Sequence, residues 1–415
     1  MARRHKSGTP GRGLLAVVRL FFFSAFLLLA LKDMSTEGFI LAVAVPLLIT
    51  LGTSFLGHFF PTDRLLLTLT NFLCALGVLV LYSLNPVWAQ TQAVAYGIGI
   101  LCMIVCIYLV RLIRVWTVPV ALMIPASLAL LLLPIFFGEL TNGAKNWIHV
   151  GGISVQPSEI VKLSLVLCLS WLMSRRRFVP WVLFAGACLL LLLWQADLGT
   201  ALLYFGTAVL LYYAASGNLA VTLLGVGGGA AAAWWGYGHF AHVRTRVAIW
   251  RSPWSDCESA GYQIVQGLIA LASGGWWGEG LGLGAPTAIP EYSTDYIFAV
   301  LCEQFGLIFG LCVLALYVAI LWRGVTIAMA ARRSFHGLLA MGCTLMLGLQ
   351  TFTIIGGVLK LIPLTGVTLP FVSRGGTSLA SSMCLVGLLQ GVAGLNDDAL
   401  QADLHMAMLG SEVRA

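Results

Sequence analysis

The chain is a succession of apolar runs of about 20 residues, separated by shorter polar stretches. Twelve such runs lie at roughly 14–32, 38–57, 64–84, 94–113, 115–137, 158–174, 179–195, 198–215, 218–237, 295–322, 335–358 and 377–395. A helix needs about 20 apolar residues to cross the hydrocarbon core of a bilayer. A membrane β-barrel would instead alternate over segments of about ten residues. The pattern therefore predicts an all-α polytopic membrane protein with about twelve transmembrane helices.

Composition supports the same class. Of the 415 residues, 60% are hydrophobic and 9% are charged, whereas soluble domains have about 25% charged residues. A soluble enzyme is excluded, because so apolar a chain could not cover a surface in water. Nucleic acid is excluded as a partner, because the chain has no soluble basic domain to bind it. We interpret the first run as a retained helix, since no small-residue cleavage motif follows it.

The basic residues predict the orientation of the chain. They lie between the apolar runs, in clusters at Arg3-Arg4-Lys6-Arg12, Arg111–Arg114, Arg175–Arg177, Arg323 and Arg332-Arg333. Cytoplasmic loops carry an excess of Lys and Arg. With twelve crossings, every cluster falls on the cytoplasmic side together with both termini.

Three polar segments then face outward, at 138–157, 238–294 and 359–376. They carry six cations, namely Lys145, Arg244, Arg246, Arg251, Lys360 and Arg374. Positive charge on exported loops indicates an anionic ligand on the outer face. The alternative is contact with lipid headgroups or water, since long loops escape the orientation rule.

The long outer segment contains its own periodic pattern. Apolar residues at 264, 265, 268, 269 and 271 oppose Gln263 and Gln266, which predicts an amphipathic helix near the membrane interface. It should end at Ser273-Gly274-Gly275. The glycines at 278, 280, 282 and 284 do not form a nucleotide-binding loop, because no Gly-Lys-Ser/Thr ends the run.

Ionisable residues at membrane depth are candidates for function. Glu159 and Lys162 have the spacing of a pair on one helix face, which could also be a packing ion pair. Asp197 and Asp295 stand at helix starts, where Asp is a common N-cap. Glu303 is interpreted as a buried, hydrogen-bonded acid. The proline-rich stretch 361–370 predicts a broken or re-entrant element.

These residues occur within stretches that resemble the SEDS family, the FtsW/RodA/SpoVE group. The matching stretches, in the family's order, are Asn142-Gly-Ala-Lys-Asn-Trp-Ile148, Gln156-Pro-Ser-Glu-Ile-Val-Lys162, Gln195-Ala-Asp-Leu-Gly-Thr200, Gly261-Tyr-Gln263, Pro290-Glu-Tyr-Ser-Thr-Asp-Tyr-Ile-Phe298 and Pro363-Leu-Thr-Gly-Val-Thr-Leu-Pro-Phe-Val-Ser-Arg-Gly-Gly376. The resemblance implies a ten-helix core at 64–395, containing the long outer loop 238–294. Two extra helices precede the core within 1–63, and a cytoplasmic tail follows at 396–415. The sequence departs from the family pattern at Ala196, Arg374, Thr377 and the pair Lys145-Asn146.

The resemblance implies a peptidoglycan glycosyltransferase that polymerises lipid II at the outer face of the bacterial cytoplasmic membrane. Such proteins work with a class B penicillin-binding protein in division, elongation or sporulation. Asp295 aligns with the family's catalytic aspartate. Ten residues are candidates for substrate binding, from motif positions or the outer cations: Lys145, Trp147, Glu159, Lys162, Asp197, Arg244, Arg246, Gln263, Lys360 and Ser373. For Trp147 an interfacial anchor is the alternative.

Transfer from an α-linked lipid pyrophosphate to a β-linked polymer inverts the sugar, so one carboxylate base is sufficient. Asp295 would accept the proton of the acceptor hydroxyl. The outer cations, with or without a divalent ion such as Mg or Mn, would stabilise the departing pyrophosphate; the metal ligands are not identified and no nucleotide is needed. Two rival classes remain open, a lipid II flippase and a non-catalytic scaffold for a penicillin-binding protein.

Overall fold

The computed structural model describes residues 10–141, 144–150, 153–239, 241–259 and 261–412 of the chain. Its α-helices are α1 (Pro10–Asp33), α2 (Thr36–Thr50), α3 (Leu56–Phe59), α4 (Arg64–Leu84), α5 (Pro86–Leu112), α6 (Thr117–Phe137), α7 (Pro157–Ser174), α8 (Phe178–Trp194), α9 (Leu198–Ser216), α10 (Leu219–His239), α11 (Ala241–Arg251), α12 (Tyr262–Ser273), α13 (Ile297–Met329), α14 (Ser334–Val358) and α15 (Gly376–Glu412). A π-helical turn, Leu51–Phe55, joins α2 to α3. The predicted basic residues 3, 4 and 6, and the motif residues Asn142 and Gly143, lie outside the described ranges.

The predicted helical membrane class is confirmed. Eleven helical segments within the described ranges are long and apolar enough to span a bilayer, and α8 is a shorter apolar helix of 17 residues. The chain is therefore a multi-pass membrane protein. Local signals set several of the helix starts: Asp63 caps α4 through the backbone N–H of Leu66, and Asn85 caps α5 ahead of Pro86.

The packing shows that α8 also crosses the bundle. α7 has 18 residues and therefore extends about 27 Å away from its start at Pro157. α8 returns over a similar distance, and the turn after it reaches the strands beside the start of α7. There the backbone N–H of Lys145 donates to the carbonyl oxygen of Gln195 over 3.0 Å. With α8 added to the eleven segments selected by length and apolarity, the described residues contain twelve crossing segments.

We use the name site face for the side of the bundle that carries the strands, the turn 194–198 and the segments 239–297 and 358–376. The other side carries the basic clusters that the structure describes. Arg323 Nε lies 2.5 Å from Asp63 Oδ2, and Arg111 Nη2 lies 2.8 Å from Asp398 Oδ2. Arg332 pairs with Asp403 on the same side. The basic clusters and the site face therefore lie at opposite ends of the crossing helices.

A small β-sheet on the site face was not predicted. β1 (Glu139–Thr141), β2 (Ala144–Val150) and β3 (Ile153–Val155) form an antiparallel sheet in that order. In its second pairing Ile148 lies opposite Val155 and His149 opposite Ser154. The described residues of the segment predicted as an outer loop thus include three strands, and the sheet holds the turn at Gln195.

The predicted amphipathic helix is present as α12, and protein covers part of its apolar face. Ile264, Val265 and Ala270 are buried. At Gly267 an added Cβ would lie 2.2 Å from the ring of Tyr296, so glycine permits the close approach of α12 to the start of α13. α12 therefore packs on the polypeptide just after Asp295, while Ile269 on the same helix stays exposed.

Three boundaries differ from prediction. α5 begins at Pro86, although the apolar run begins near 94, because the polar Gln92 is buried with protein partners. α13 extends to Met329 and contains a break at Gly306, where φ is +86°. α15 continues beyond 395 to Glu412, because its polar extension pairs with Arg111 and Arg332.

The interpretation of Glu303 is confirmed. Its side chain is buried on α13, and Oε1 accepts the backbone N–H of Ala285 over 3.0 Å. This contact ties the glycine-rich stretch 274–285 to the helix. The stretch also bonds to the broken turn of α13, since the N–H of Leu307 donates to Gly275 O over 2.9 Å.

Candidate active site

Asp295 lies in the turn that precedes α13. The helix begins at Ile297, and the capping position is Tyr296, which makes no side-chain cap. The carbonyl of Glu291 accepts the backbone N–H groups of Thr294 and Asp295 over 3.2 and 3.1 Å, and Glu291 itself has φ of +54°. The predicted N-cap role of Asp295 is therefore wrong, because the helix starts two residues later. The carboxylate of Asp295 therefore does not cap α13.

The turn faces the proline-rich segment, which is irregular as predicted. Residues 359–375 contain no regular helix. Gly366 has φ of +74°, and a Cβ built there would lie 3.6 Å from Asp295 Oδ2. Arg246 of α11 reaches the same segment, where Nη1 lies 3.5 Å from the carbonyl oxygens of Leu364 and Thr365. The carboxylate of Asp295, the guanidinium of Arg246 and the backbone at Gly366 thus lie close together on the site face.

The electrostatic setting of Asp295 suits proton transfer. Its side chain keeps some exposed surface although protein encloses most of it. Burial raises the pKa of its carboxyl from 3.8 to about 7, and the neighbouring Glu291 adds to the rise. Arg246 and a hydrogen bond from Thr294 act in the lowering direction. A carboxyl with a pKa near 7 can both hold and release a proton at neutral pH.

The Asp295 turn is attached to the segment after Pro370. Ser373 is buried, and its hydroxyl donates to Thr294 O over 2.7 Å while accepting the N–H of Leu369 over 2.8 Å. From α5, Gln92 donates to Ser373 O over 3.0 Å. The hydroxyl of Ser373 is thus engaged within the protein, which favours a positioning role over direct substrate contact.

Asp197 acts as an N-cap, as predicted. It is buried, and its Oδ1 accepts the backbone N–H of Thr200 over 3.1 Å. Its Oδ2 accepts the side-chain amides of Asn146 and Gln156 over 3.1 and 3.2 Å. Asp197 therefore joins the sheet to the starts of α7 and α9.

Glu159 and Lys162 form the predicted pair. Lys162 Nζ lies 2.6 Å from Glu159 Oε2 and 3.0 Å from Gln350 Oε1, and Lys162 is 2% exposed. Ser381 of α15 also donates to Glu159 over 2.6 Å. Gln350 then donates to Thr368 O over 2.9 Å. The pair therefore connects three helices to the irregular segment below the Asp295 turn.

The remaining predicted residues lie on the site face. Lys145 on β2 and Arg244 on α11 are exposed, and Trp147 is half-buried. Lys360 has φ of +58°, and its carbonyl accepts Trp250 Nε1 over 3.0 Å. Gln263 donates to Pro290 O over 3.1 Å and so braces the Asp295 turn from α12.

Two buried amides were missed by the sequence analysis. Gln92 brackets the Ser373–Gly375 turn, since its Oε1 also accepts the N–H of Gly375 over 3.3 Å. Gln350 links the ion pair to Thr368. For Gln350 the available signal was an uncharged amide inside an apolar run. Gln92 stands just before the predicted run, and the prediction weighed only charged residues.

The donor set does not define a metal centre. Within the described ranges, no three His, Cys, Asp or Glu side chains come together in a group that could hold a metal ion. Asp295 and Glu291 are close, but Arg246 lies beside the same carboxylate. A divalent ion such as Mg or Mn stays a prediction, because one or two carboxylates together with substrate phosphates are enough to hold it.

The fold and the site define a polytopic membrane protein with a carboxylate and cations gathered at one end of its helices. Comparisons with known proteins identify its family. Residues 63–397 match the family described as FtsW/RodA/SpoVE cell cycle proteins. The chain belongs to the FtsW/RodA/SpoVE family, as predicted.

Its similarity extends along most of the chain. Stage V sporulation protein E of Bacillus subtilis is 34% identical over 362 residues, covering 80% of this chain and 96% of the relative. A probable peptidoglycan glycosyltransferase FtsW of Geobacter sp. is 32% identical over 358 residues, covering 80% and 96%. A solved peptidoglycan synthase complex that coordinates polymerisation and crosslinking contains a chain of 28% identity, with a TM-score of 0.69 over 81% of this chain and 98% of that one.

Proposed function

We propose that this protein is a peptidoglycan glycosyltransferase that joins lipid II units at the outer face of the cytoplasmic membrane. Family membership and the names of the relatives support the reaction class. The single observation that carries the chemical proposal is the placement of Asp295. Its Oδ2 lies 3.6 Å from the position of a Cβ at Gly366, on the segment that Arg246 contacts. Burial there raises the pKa of the carboxyl to about 7.

Asp295 is the general base of this proposal. It accepts the proton of the acceptor sugar's 4-hydroxyl as that oxygen attacks the anomeric carbon of the donor. The bond from the anomeric carbon to the pyrophosphate breaks in the same step, and the polyprenyl pyrophosphate leaves with the bonding electrons. A single displacement inverts the sugar, so no second carboxylate is required. Cations at the site face, Arg246 foremost, stabilise the charge on the leaving group.

The proposed sidedness follows from charge. The face opposite the site carries Arg111, Arg175–Arg177, Arg323 and Arg332. Short cytoplasmic loops are rich in such residues. We therefore assign that face and both termini to the cytoplasm, and the Asp295 site to the exterior.

A class B penicillin-binding protein is the proposed partner. The solved complex similar to this chain couples polymerisation with crosslinking, which supports a transpeptidase alongside the polymerase. Lipid II and the surrounding membrane lipids complete the proposed set of partners.

The decisive experiment uses purified protein with its partner and labelled lipid II. Asp295→Asn keeps the shape but cannot accept a proton, so glycan strands should fall by at least about a hundredfold. Glu258→Gln is the matched control, an exposed carboxylate of the same long segment, and should polymerise like wild type.

Each other outcome has a defined meaning. Full activity of Asp295→Asn would reject Asp295 as the base. Transfer of lipid II across vesicles without strands would favour a flippase. Stimulation of the partner by wild type and Asp295→Asn alike, with no strands made by this chain, would favour a scaffold.

A further inference from the structure

We infer that Arg374, stacked on Trp88 beside the Asp295 turn, binds an anionic group of the lipid-linked substrate. The inference rests on the proposed function, because it names a substrate contact of the same site. Its ligand is an oxyanion, either the pyrophosphate or a carboxylate of the peptide that the disaccharide carries.

The guanidinium lies over an aromatic ring. Arg374 Cζ lies 4.2 Å from the centroid of the Trp88 ring, within the range of a cation–π contact. The rings of Trp88 and Tyr292 are 5.8 Å apart, so the aromatic surface continues toward the Asp295 turn. The contact with Trp88 therefore holds the positive charge of Arg374 beside that turn.

The backbone under Arg374 is fixed from two directions. Its N–H donates to Ser293 O over 2.9 Å, two residues before Asp295. On the other side, Gln92 of α5 bonds to Ser373 O and Gly375 N. The positive charge is therefore preorganised close to the proposed base, at no further cost of ordering when a ligand binds.

Among the described residues Arg374 also lacks a counter-ion, unlike Arg111, Arg323 and Arg332. Arg111 and Arg323 are neutralised by Asp398 and Asp63. Arg374 is exposed, and no carboxylate of the described residues lies within ion-pair distance of it. An unpaired planar guanidinium on a fixed backbone matches a two-oxygen anion, because it can donate two parallel hydrogen bonds.

The test is a binding titration with lipid II in a non-ionic detergent that contains no phospholipid, so that headgroups cannot contribute. Arg374→Gln should weaken binding by about tenfold, the effect of losing charge-assisted hydrogen bonds. Arg374→Lys should fall between, because it keeps the charge and loses the planar fork. Arg177→Gln is the matched control, since Arg177 lies 5.8 Å above Trp171 on the opposite face, and it should bind like wild type.

A second arm identifies the group. Lipid II whose peptide carboxylates are all amidated is titrated in parallel. If the difference between wild type and Arg374→Gln disappears, the ligand is a peptide carboxylate; if it persists, the ligand is the pyrophosphate.

The inference is overturned if Arg374→Gln binds both forms of lipid II as wild type does, or if wild type binds neither. Because binding needs no turnover, the outcome is separate from the proposed activity. A wild type that binds lipid II through Arg374 but makes no strands would refute the polymerase and leave the inference standing.

Discussion

Replacing Lys162 by Met should destabilise the protein strongly, since Lys162 is buried and is the counter-charge of Glu159. Lys162 Nζ makes its two contacts at 2.6 and 3.0 Å, and the substitution removes both. Glu159 keeps the hydrogen bond from Ser381 but loses its counter-charge. Breaking a buried pair on one side costs about 3–5 kcal/mol. The Glu159 side chain retains 14% exposure, so we expect a loss near the lower end, about 3 kcal/mol.

The assay is reversible unfolding by sodium dodecyl sulfate in mixed micelles, followed by circular dichroism. The double variant Glu159→Gln with Lys162→Met removes both charges and should recover most of the loss, because no unpaired charge is left. If the losses of the single variants Lys162→Met and Glu159→Gln simply add up to the loss of the double variant, the two charges are not coupled as an ion pair. A loss for Lys162→Met below about 0.5 kcal/mol, as at ordinary surface sites, would contradict the coupling as well.

Three further outcomes are expected. Asp197→Ala should lower the free energy of unfolding by at least about 1–2 kcal/mol, because it removes the cap. Asp197→Asn should lose less, since it keeps the capping oxygen and gives up only the acceptor used by Asn146 and Gln156. The same titration checks both, and equal losses would contradict the capping role. Gly267→Leu should abolish polymer yield, because even its Cβ would lie 2.2 Å from the Tyr296 ring, whereas Gly227→Leu has nothing within 4 Å and should leave the yield unchanged. At pH 8 Asp295→Asn should match wild type in its free energy of unfolding or exceed it, with an upper limit of about 4 kcal/mol. The reason is that a carboxyl whose pKa is raised on folding makes the wild-type protein less stable as pH rises from about 4 through 7. A clear loss of stability in Asp295→Asn would point to a structural role.

The helices were predictable because each apolar run answers one physical requirement, the thickness of the bilayer. The start of α5 was missed because Gln90, Thr91 and Gln92 interrupt the apolar run, and only tertiary partners make Gln92 tolerable there. The sheet was missed because two of its strands have three residues, too few to show alternation.

Contacts between residues close in sequence were predictable, whereas contacts between distant segments were not. The spacing of Glu159 and Lys162 is local, so their pairing could be read from the sequence. The bonds from Ser373 to Thr294 and from Asn146 to Asp197 join residues 79 and 51 positions apart, and no local pattern encodes them. Asp295 has the residue type of an N-cap, but the turn at Glu291 moves the helix start beyond it.

The most direct test of the account is the pH dependence of single-turnover lipid II polymerisation by the purified protein. If Asp295 is the base, the rate should rise about tenfold per pH unit below pH 7 and level off above it, because the protonated carboxyl cannot accept a proton. The residual rate of Asp295→Asn should lack this rise. A wild-type rate that stays flat from about pH 5 to about pH 9, or an Asp295→Asn profile that matches wild type, would contradict the account.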